Sequence, residues 1–378
     1  MRVRGPNGTR SAACPPRAAD GASREAATAS AERYTEHVFN REWNPPNRFD
    51  PVIVEWDEEP PKARLEILED RTKGVLSHND SPDIGFSWSL NPYRGCTHAC
   101  AYCYARPFHE FLGMGAGSDF ERKIVVKLEA AALLEEAFRK PSWVGEEVMF
   151  SGVTDCYQPL ERRYGLTRAC LEVCARFRNP ASIITRSPLV TRDADVLVRL
   201  AEHGAARVTF SIPIPDRELQ RAIEPGAPPP ELRFAAMKAL SDAGVPVGVS
   251  LAPVIPGVND RSIPEVLERA REAGARWAFM TLVRLPGAVA EVFEARLREA
   301  LPDRADAVMA KIRRLRGGRT NEPRFGDRMR GRDGDPAWEL IEQLFDLWHR
   351  KLGYDDRWDV PSPSPFRRPD HGRQLGLF

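Results

Sequence analysis

The alternation of short apolar segments with longer amphipathic ones is the feature of this sequence that most constrains its fold. From residue 86 onward, six β-prone runs alternate with stretches whose apolar residues recur at helical spacing. Strands that alternate with helices in this way indicate parallel βαβ units. The predicted strands are Phe86–Asn91, Val148–Gly152, Ser182–Thr185, Val208–Ile212, Val245–Val254 and Ala278–Val283.

The helical stretches between these strands complete the predicted α/β fold. Several of them end on a glycine, which is a common helix stop. A closed barrel needs eight βα units, so six units in roughly 200 residues predict a partial, open (β/α)6 barrel. In barrels of this kind the chemistry takes place on the loops after the strands. The predicted helices are Leu128–Arg139, Leu166–Phe177, Arg192–Glu202, Glu231–Ala243 and Ile263–Ala273.

The rest of the chain is organised around this core. The N-terminal residues are rich in Ala, Arg, Ser and Pro, and they offer too little apolar surface to offset the entropy lost on ordering. A short strand is predicted at Val52–Val54, and helices at Val289–Leu301, Arg304–Leu315 and Trp338–Leu352. We predict a disordered tail (1–47), a leader packing on the core (48–84), the core domain (85–287), a helical extension (288–353) and a loose tail (354–378).

The composition excludes several classes of protein. With 378 residues, 42% hydrophobic and 29% charged, the chain is neither fibrous nor wholly disordered. A net charge of +1 creates no global attraction to nucleic acid or anionic lipid. No apolar run approaches the roughly 20 residues of a membrane helix, and the N-terminus lacks the apolar core of a signal peptide. We therefore expect a cytoplasmic protein, in which clustered cysteines indicate metal binding rather than disulfides.

Three of the seven cysteines are crowded directly after the first predicted strand. Cys96, Cys100 and Cys103 have the spacing C-x3-C-x2-C, and a turn leading into a helix can direct all three thiols to one centre. A closed zinc or cubane site needs four protein ligands. Three thiolates on a [4Fe–4S] cluster would leave one iron open to a small molecule. His98 or His109 as a fourth ligand would instead close the site, and a chance group of buried cysteines is the third interpretation.

At these residues the chain resembles the radical S-adenosylmethionine (SAM) superfamily. The signature of that superfamily is three cysteines at this spacing with an aromatic residue before the last, here Tyr102. Within the superfamily, the chain is similar to the branch related to spore photoproduct lyase. That similarity runs in order from residue 79 to about 332 through NPYRGCTHACAYCYARP, DFERKIVVK, SGVTDCYQPLE, LTRACLEV, SPLVTRDADVL, LAPVIPGVND and VRLPGAV.

The resemblance implies a [4Fe–4S] cluster on Cys96, Cys100 and Cys103, with SAM chelating the open iron through its amine and carboxylate. An external electron donor such as a flavodoxin or ferredoxin would reduce the cluster. Reductive cleavage of SAM would then give a 5′-deoxyadenosyl radical that abstracts hydrogen from a substrate. Likeness to a DNA-lesion lyase makes nucleic acid the first expectation for that substrate, although fold-level analogy does not fix it.

The resemblance also implies a SAM site on the loops after the strands. Asp155 and Thr154 offer acceptors for the ammonium of SAM, although a helix N-cap explains them as well. Arg186 would pair with its carboxylate through a two-pronged donor, where relatives often carry lysine. The implied SAM-binding residues are Tyr102, Ser151, Gly152, Thr154, Asp155, Thr185, Arg186, Ser211 and Pro253.

Two of these expectations have plain alternatives, and a third, on Cys156, departs from the family's pattern. Ser211 could reach the ribose hydroxyls or be an ordinary strand serine. Pro253 could belong to an adenine-side wall or to a rigid turn. Cys156 could donate hydrogen to a product radical, as a cysteine of the lyase does, but that cysteine precedes the aspartate instead of following it. Cys170 and Cys174, four apart on a predicted helix, are expected in the core.

A basic segment follows the barrel. Residues 311–332 hold nine Lys and Arg against Glu322 and Asp327. Such a segment could follow a phosphate backbone, could be a solvated surface loop, or could close over the barrel.

Two other classes of function stay open for the whole protein: a zinc- or iron–sulfur-binding module associated with nucleic acid, and a cluster carrier without SAM chemistry.

Overall fold

The computed structural model describes residues 41–49, 61–355 and 362–369. The predicted strand at Val52–Val54 and residues 1–40 of the predicted tail lie outside these ranges, as do 356–361 and 370–378. Ten strands are present in the described residues: β1 (Glu66–Glu69), β2 (Leu76–His78), β3 (Trp88–Leu90), β4 (Tyr93–Arg94), β5 (Lys123–Val126), β6 (Val148–Phe150), β7 (Ala181–Thr185), β8 (Ala206–Ser211), β9 (Val247–Val254) and β10 (Trp277–Leu282).

Seven of the strands form the main sheet, in the order β10–β9–β8–β7–β6–β3–β2. Six of these strands, β3 and β6 to β10, are parallel to one another. Strand β2 pairs with β3 in the antiparallel direction. All of β6 and all but one residue of β9 are buried, as expected of parallel strands that are covered on both faces. Each parallel strand overlaps one of the six predicted strands, so the predicted partial (β/α)6 barrel is confirmed.

The helices also follow the predicted pattern closely. The predicted helix Leu166–Phe177 has the same bounds in the structure, whereas Arg192–Glu202 begins as a 3₁₀ turn at Pro188–Asp193. The short helices α1, α2, α4 and α7 were not predicted. The helices are α1 (Pro107–Glu110), α2 (Ser118–Arg122), α3 (Ala130–Arg139), α4 (Glu161–Tyr164), α5 (Leu166–Phe177), α6 (Ala194–Ala201), α7 (Arg217–Ile223), α8 (Pro230–Asp242), α9 (Ile263–Glu272), α10 (Val289–Ala300), α11 (Ala305–Leu315) and α12 (Pro336–Lys351).

A second sheet of three strands, in the order β1–β5–β4, was not predicted. Strand β5 pairs in parallel with β1 and antiparallel with β4. Tyr93, Ile124 and Val126 from this sheet form a small core with Leu160 and Leu166. Because β4 ends two residues before Cys96, the small sheet anchors the start of the cysteine loop.

The two edges of the main sheet are linked by loops, through what we call the mouth segment, residues 316–332. The N–H of Leu282 at the end of β10 donates to the carbonyl of Met329 at 2.9 Å. On the other side, Arg328 Nε lies 2.8 Å from Asp83, in the loop between β2 and β3. The mouth segment is therefore more than a solvated loop, since it spans the open side of the barrel.

Arg316 shows how firmly the mouth segment is attached. Its side chain is buried and donates to the carbonyls of Leu282 and Val283 at 2.9 and 3.0 Å. Burial lowers its pKa to about 10.

No helix in the described ranges is both long enough and apolar enough to cross a membrane.

Candidate active site

A cavity of about 630 Å³ opens among the loops that follow the parallel strands. The three cysteines Cys96, Cys100 and Cys103 line it, together with all of the predicted SAM-binding residues except Thr185. Met149, Thr209 and Trp277 form part of the wall inside the barrel. The structure therefore brings residues from three separate loops, and from the ends of strands β8 and β9, to one space.

The cysteine loop begins with a backbone conformation that requires glycine. Gly95 has φ +76°, and a Cβ at this position would lie 2.9 Å from the carbonyl oxygen of Phe120. The N–H of Cys96 donates to that same carbonyl at 2.9 Å. Cys96 and Cys100 are buried and Cys103 is partly buried. The loop thus starts from a fixed point beside α2.

Two buried arginines hold the middle of the cysteine loop; with the carboxylate between them we call them the arginine brace (Arg106, Glu121 and Arg296). Arg106 donates to the carbonyl of Cys100 at 2.8 Å, and Arg296 to that of Ala99 at 2.6 Å. Both also donate to Glu121, at 2.6 and 2.5 Å. Burial raises the pKa of Glu121, but the two guanidiniums outweigh it and the pKa is lowered. The brace is therefore an ionised triad that orients two carbonyls of the loop.

The chemistry of the donor set fits an iron–sulfur cluster. Burial raises the pKa of all three thiols, that of Cys100 to about 12, so a positively charged group is needed to hold them as thiolates. Among the described residues, no three Cys, His, Asp or Glu side chains are already gathered around one metal position. Three cysteine thiols that line one cavity are a donor set that fits a cluster, whose ligands bind separate iron atoms.

The two candidate histidines differ in their surroundings. His109 does not line the cavity, and its Nε2 lies 2.9 Å from the carbonyl oxygen of Lys123. His98 does line the cavity, and its Nδ1 lies 3.3 Å from Asp155 Oδ2. The buried Nε2 of His98 has no hydrogen-bond partner in the part of the chain described. His98 is thus the histidine that a bound group would contact.

Asp155 joins two loops of the site. Its Oδ1 accepts hydrogen bonds from the hydroxyl of Thr185 at 2.7 Å and the N–H of Tyr157 at 2.9 Å. Its Oδ2 accepts one from the N–H of Arg186 at 2.8 Å. Burial would raise the pKa of Asp155, but the nearby His98 and these donors outweigh burial and hold it at about 2. Most of its acceptor capacity is therefore used inside the protein.

Thr154 and the residues before it are also engaged with the protein. The hydroxyl of Thr154 donates to the carbonyl of Tyr93 at 2.8 Å, and Ser151 Oγ accepts from the N–H of Cys156 at 2.9 Å. A Cβ at Gly152 would lie 2.9 Å from the Cβ of Ser89, so this position needs glycine. These contacts fix the loop after β6 in one conformation against the cavity.

A buried carboxylate that the sequence analysis missed connects the cysteine loop to Arg186. Glu224 accepts hydrogen bonds from the hydroxyl of Tyr102, from Arg233 at 2.5 Å and from Arg186 at 3.4 Å. Glu224 and Arg233 are completely buried. Glu224 follows the unpredicted helix α7, and nothing in its local sequence indicates its partners, which lie on three other segments.

The loop after α7 packs tightly against the cysteines. A Cβ on Gly226 would lie only 2.0 Å from the carbonyl oxygen of Thr97, and the N–H of Gly226 donates to the carbonyl of His98 at 3.0 Å. Ser211 and Pro253 line the next part of the wall, where Ser211 Oγ donates to the carbonyl of Ala252 at 3.4 Å. Ser211 and Pro253 remain candidates for contacts to a nucleoside.

The structure does not favour the predicted hydrogen-donor role of Cys156. The residue is completely buried in the main core, and its side chain does not line the cavity. The loop places Asp155 on the cavity, and the next side chain points into the core. Cys170 and Cys174 are completely buried in the same core, as expected of small apolar side chains.

Comparisons with known proteins relate the chain to one superfamily. The family model of the radical SAM superfamily matches residues 90–270. An uncharacterized protein of Mycobacterium tuberculosis (strain H37Rv) is 36% identical over 222 residues, 58% of this chain. The match spans 65% of that relative's length. An uncharacterized protein of Methanocaldococcus jannaschii is 30% identical over 198 residues, which is 52% of this chain and 71% of that protein.

Among solved structures, spore photoproduct lyase complexed with dinucleoside spore photoproduct has a similar fold. The TM-score is 0.56, at 17% sequence identity, over 77% of this chain and 80% of that chain. A double mutant of the lyase, with bound AdoMet and dinucleoside spore photoproduct, gives the same TM-score of 0.56 at 18% identity over the same shares of the two chains. At these identities the likeness establishes the fold.

Proposed function

The chain belongs to the radical SAM superfamily, and we propose that it is an enzyme that cleaves SAM reductively at a [4Fe–4S] cluster held by Cys96, Cys100 and Cys103. The observation that carries this proposal is that the three thiols line the same cavity as Asp155 and Arg186. When bound, such a cluster supplies the electron that splits SAM into methionine and a 5′-deoxyadenosyl radical.

The chain's own residues would bind and orient SAM. Arg186 is proposed to hold the carboxylate, because its guanidinium lines the cavity beside Tyr102 and is positioned by Glu224. Asp155 fixes the backbone of Arg186, so we assign it mainly a positioning role. The loop Ser151–Gly152 and the wall at Ser211 and Pro253 would contact the remainder of the molecule.

The walls of the cavity would protect a reactive radical. Met149, Met280 and Leu282 contribute apolar surface, which excludes water and competing hydrogen donors. The substrate is a separate proposal: nucleic acid is the first class to test, supported by the fold shared with the lyase. We further propose that an external donor such as a flavodoxin or ferredoxin supplies the electron.

Anaerobic reconstitution with iron and sulfide tests the proposed function. The wild-type protein is expected to become brown, to show the electron paramagnetic resonance signal of a reduced [4Fe–4S] cluster, and to convert SAM to 5′-deoxyadenosine with dithionite. Replacing Cys96, Cys100 and Cys103 together by alanine should abolish both colour and turnover. The matched control, Cys170→Ala with Cys174→Ala, should keep both because these thiols lie in the core.

The other outcomes distinguish the alternative classes. A colourless protein that retains zinc would support a metal-binding module and contradict the proposal. A brown protein that binds no SAM and releases no 5′-deoxyadenosine would indicate a cluster carrier. The variant His98→Ala should keep the colour if three cysteines suffice, whereas loss of the cluster would make the histidine a fourth ligand.

A further inference from the structure

One cation on the cavity wall differs from every other charged group there. Six acidic, basic or histidine side chains lie on the wall, and five of them have a partner of opposite charge within 4 Å. Asp83 pairs with Arg328, His98 with Asp155, Arg186 with Glu224, and Arg207 with Glu147. The sixth, Arg284, makes no hydrogen bond or ion pair with any residue in the described ranges.

The surroundings of Arg284 hold the guanidinium in place without neutralising it. Its guanidinium carbon lies 5.3 Å from the ring centroid of Tyr104, whose hydroxyl donates to the carbonyl of Gly152. Asp83 is the nearby carboxylate, but it already accepts from Arg328 at 2.8 Å and from the N–H of Gly326 at 2.7 Å. Arg284 therefore presents unused donors to the cavity on a partly buried cation, and an anion there could accept charge-assisted hydrogen bonds from it.

Arg284 also enters the cavity from a different part of the sheet than Arg186, the residue proposed to hold the SAM carboxylate. It follows β10 at the edge of the sheet, whereas Arg186 follows β7, and β8 and β9 lie between them. Three interstrand spacings of about 4.8 Å place the two strand ends roughly 14 Å apart. The two arginines therefore reach the cavity from different strand ends, and the apolar side chains of Phe86, Phe279 and Met280 line the same cavity.

We propose that Arg284 binds an anionic oxygen group, a phosphate or a carboxylate, of the substrate, with Tyr104 as the positioning residue for its guanidinium. This inference rests on the proposed function, because it assumes that SAM occupies the part of the cavity next to the cysteines. A guanidinium accepts two oxygens of either group side by side, so a substrate with such a group would enter in one orientation.

The test measures binding of small anions to the reconstituted full-length protein. Inorganic phosphate and acetate would be titrated at constant ionic strength, with saturating SAM and also without it, and binding followed by ³¹P and ¹H NMR line broadening. We expect at least one of the anions to bind, and Arg284→Gln to weaken that binding at least tenfold. Arg284→Lys should retain part of it. Arg319→Gln, an exposed arginine of the mouth segment outside the cavity, is the matched control and should leave it unchanged.

Each remaining outcome would overturn the inference. Neither anion binding the wild type, or Arg284→Gln leaving the affinity unchanged, would show that Arg284 is not an anion site. Equal loss in Arg319→Gln would indicate an adventitious surface effect. If Arg284→Gln weakened SAM binding tenfold, the arginine would belong to the SAM site. Failure of the proposed function is seen separately, as anion binding with no cleavage of SAM.

Discussion

The two sides of the cavity are built in different ways. On the cysteine side, Glu121, Glu224 and their arginine partners Arg106, Arg233 and Arg296 are all buried, and each carboxylate contacts at least two of the cations that surround it. On the mouth side, the contacts come from loops and include exposed pairs such as Arg330 with Glu342. The side proposed to hold the cluster is thus fixed by buried charged groups on either side of each carboxylate, whereas the side proposed to meet the substrate is fixed by loop contacts, some of them exposed.

This difference corresponds to two requirements of a radical enzyme: the loops around the cluster and SAM must stay fixed, whereas the loops that meet the substrate can vary. A cluster and SAM require loops held to within a fraction of an ångström, which buried hydrogen-bonded charges provide at a high cost if one partner is lost. A substrate side made of loops can change without disturbing that framework. The predictions below test whether the two sides differ in energy as they do in construction.

The largest effect is expected from Glu121→Gln in the arginine brace. The substitution leaves Arg106 and Arg296 buried without their shared counterion, which should lower the free energy of unfolding by about 3–5 kcal/mol. Urea unfolding of the protein checks this. In the exposed pair of Lys238 with Asp242, Asp242→Asn is the control and should change stability by about 0.5 kcal/mol or less. Similar losses in the two variants would contradict the comparison.

An intermediate effect is expected from Gly226→Ala. Its new Cβ would overlap the backbone carbonyl oxygen of Thr97. Because a Cβ is fixed to its own backbone and cannot rotate away, the two loops must move apart, at a cost of about 1–3 kcal/mol. The displacement should also shorten the lifetime of a reconstituted cluster in a chelator challenge. Gly74→Ala has open space around it and should be neutral on both counts. An unchanged cluster lifetime in Gly226→Ala would show that this loop does not position the cysteines.

The smallest effect is expected on the mouth side, from Asp83→Asn. Burial raises the pKa of Asp83, but Arg328 and the N–H of Gly326 outweigh it and the pKa falls below its ordinary value of 3.8. A lowered pKa means that the ion pair stabilises the protein at neutral pH and that the contribution disappears as the pH falls through the folded-state value. The difference in free energy of unfolding should be about 1 kcal/mol or less at pH 7 and should shrink toward pH 3.5. A difference that grows on acidification would refute the assignment.

The parallel strands could be predicted because each is a buried apolar run, and burial on both faces leaves a signal in a single segment. Strand β4 left almost none, since it has only two residues, whereas β5 is a short buried apolar run that was not predicted. The cysteine spacing predicted which thiols face one cavity. It could not predict the arginine brace, because Glu121 and Arg296 are 175 residues apart and charged side chains are normally solvated.

The lack of a carboxylate partner at Arg284 could not be predicted from the sequence either. Arginines are numerous in this chain, and only the three-dimensional pairing of Asp83 with Arg328 shows which cation remains without a carboxylate. The basic composition of the mouth segment suggested contacts to phosphate, yet Arg316 is used internally, on backbone carbonyls. Sequence patterns record burial and spacing, and they do not record which charges cancel one another.

The open sheet has a consequence for how this scaffold can diversify. In a closed barrel, strand number and stagger fix the diameter, so a wider chamber requires every strand to shift. Here the edge strands β2 and β10 are linked by loops, through Asp83, Arg328 and the carbonyl of Met329. Lengthening those loops would enlarge the cavity without altering the register of any strand. Variants of this architecture can therefore accept molecules of very different width while the cysteine side of the cavity stays as it is.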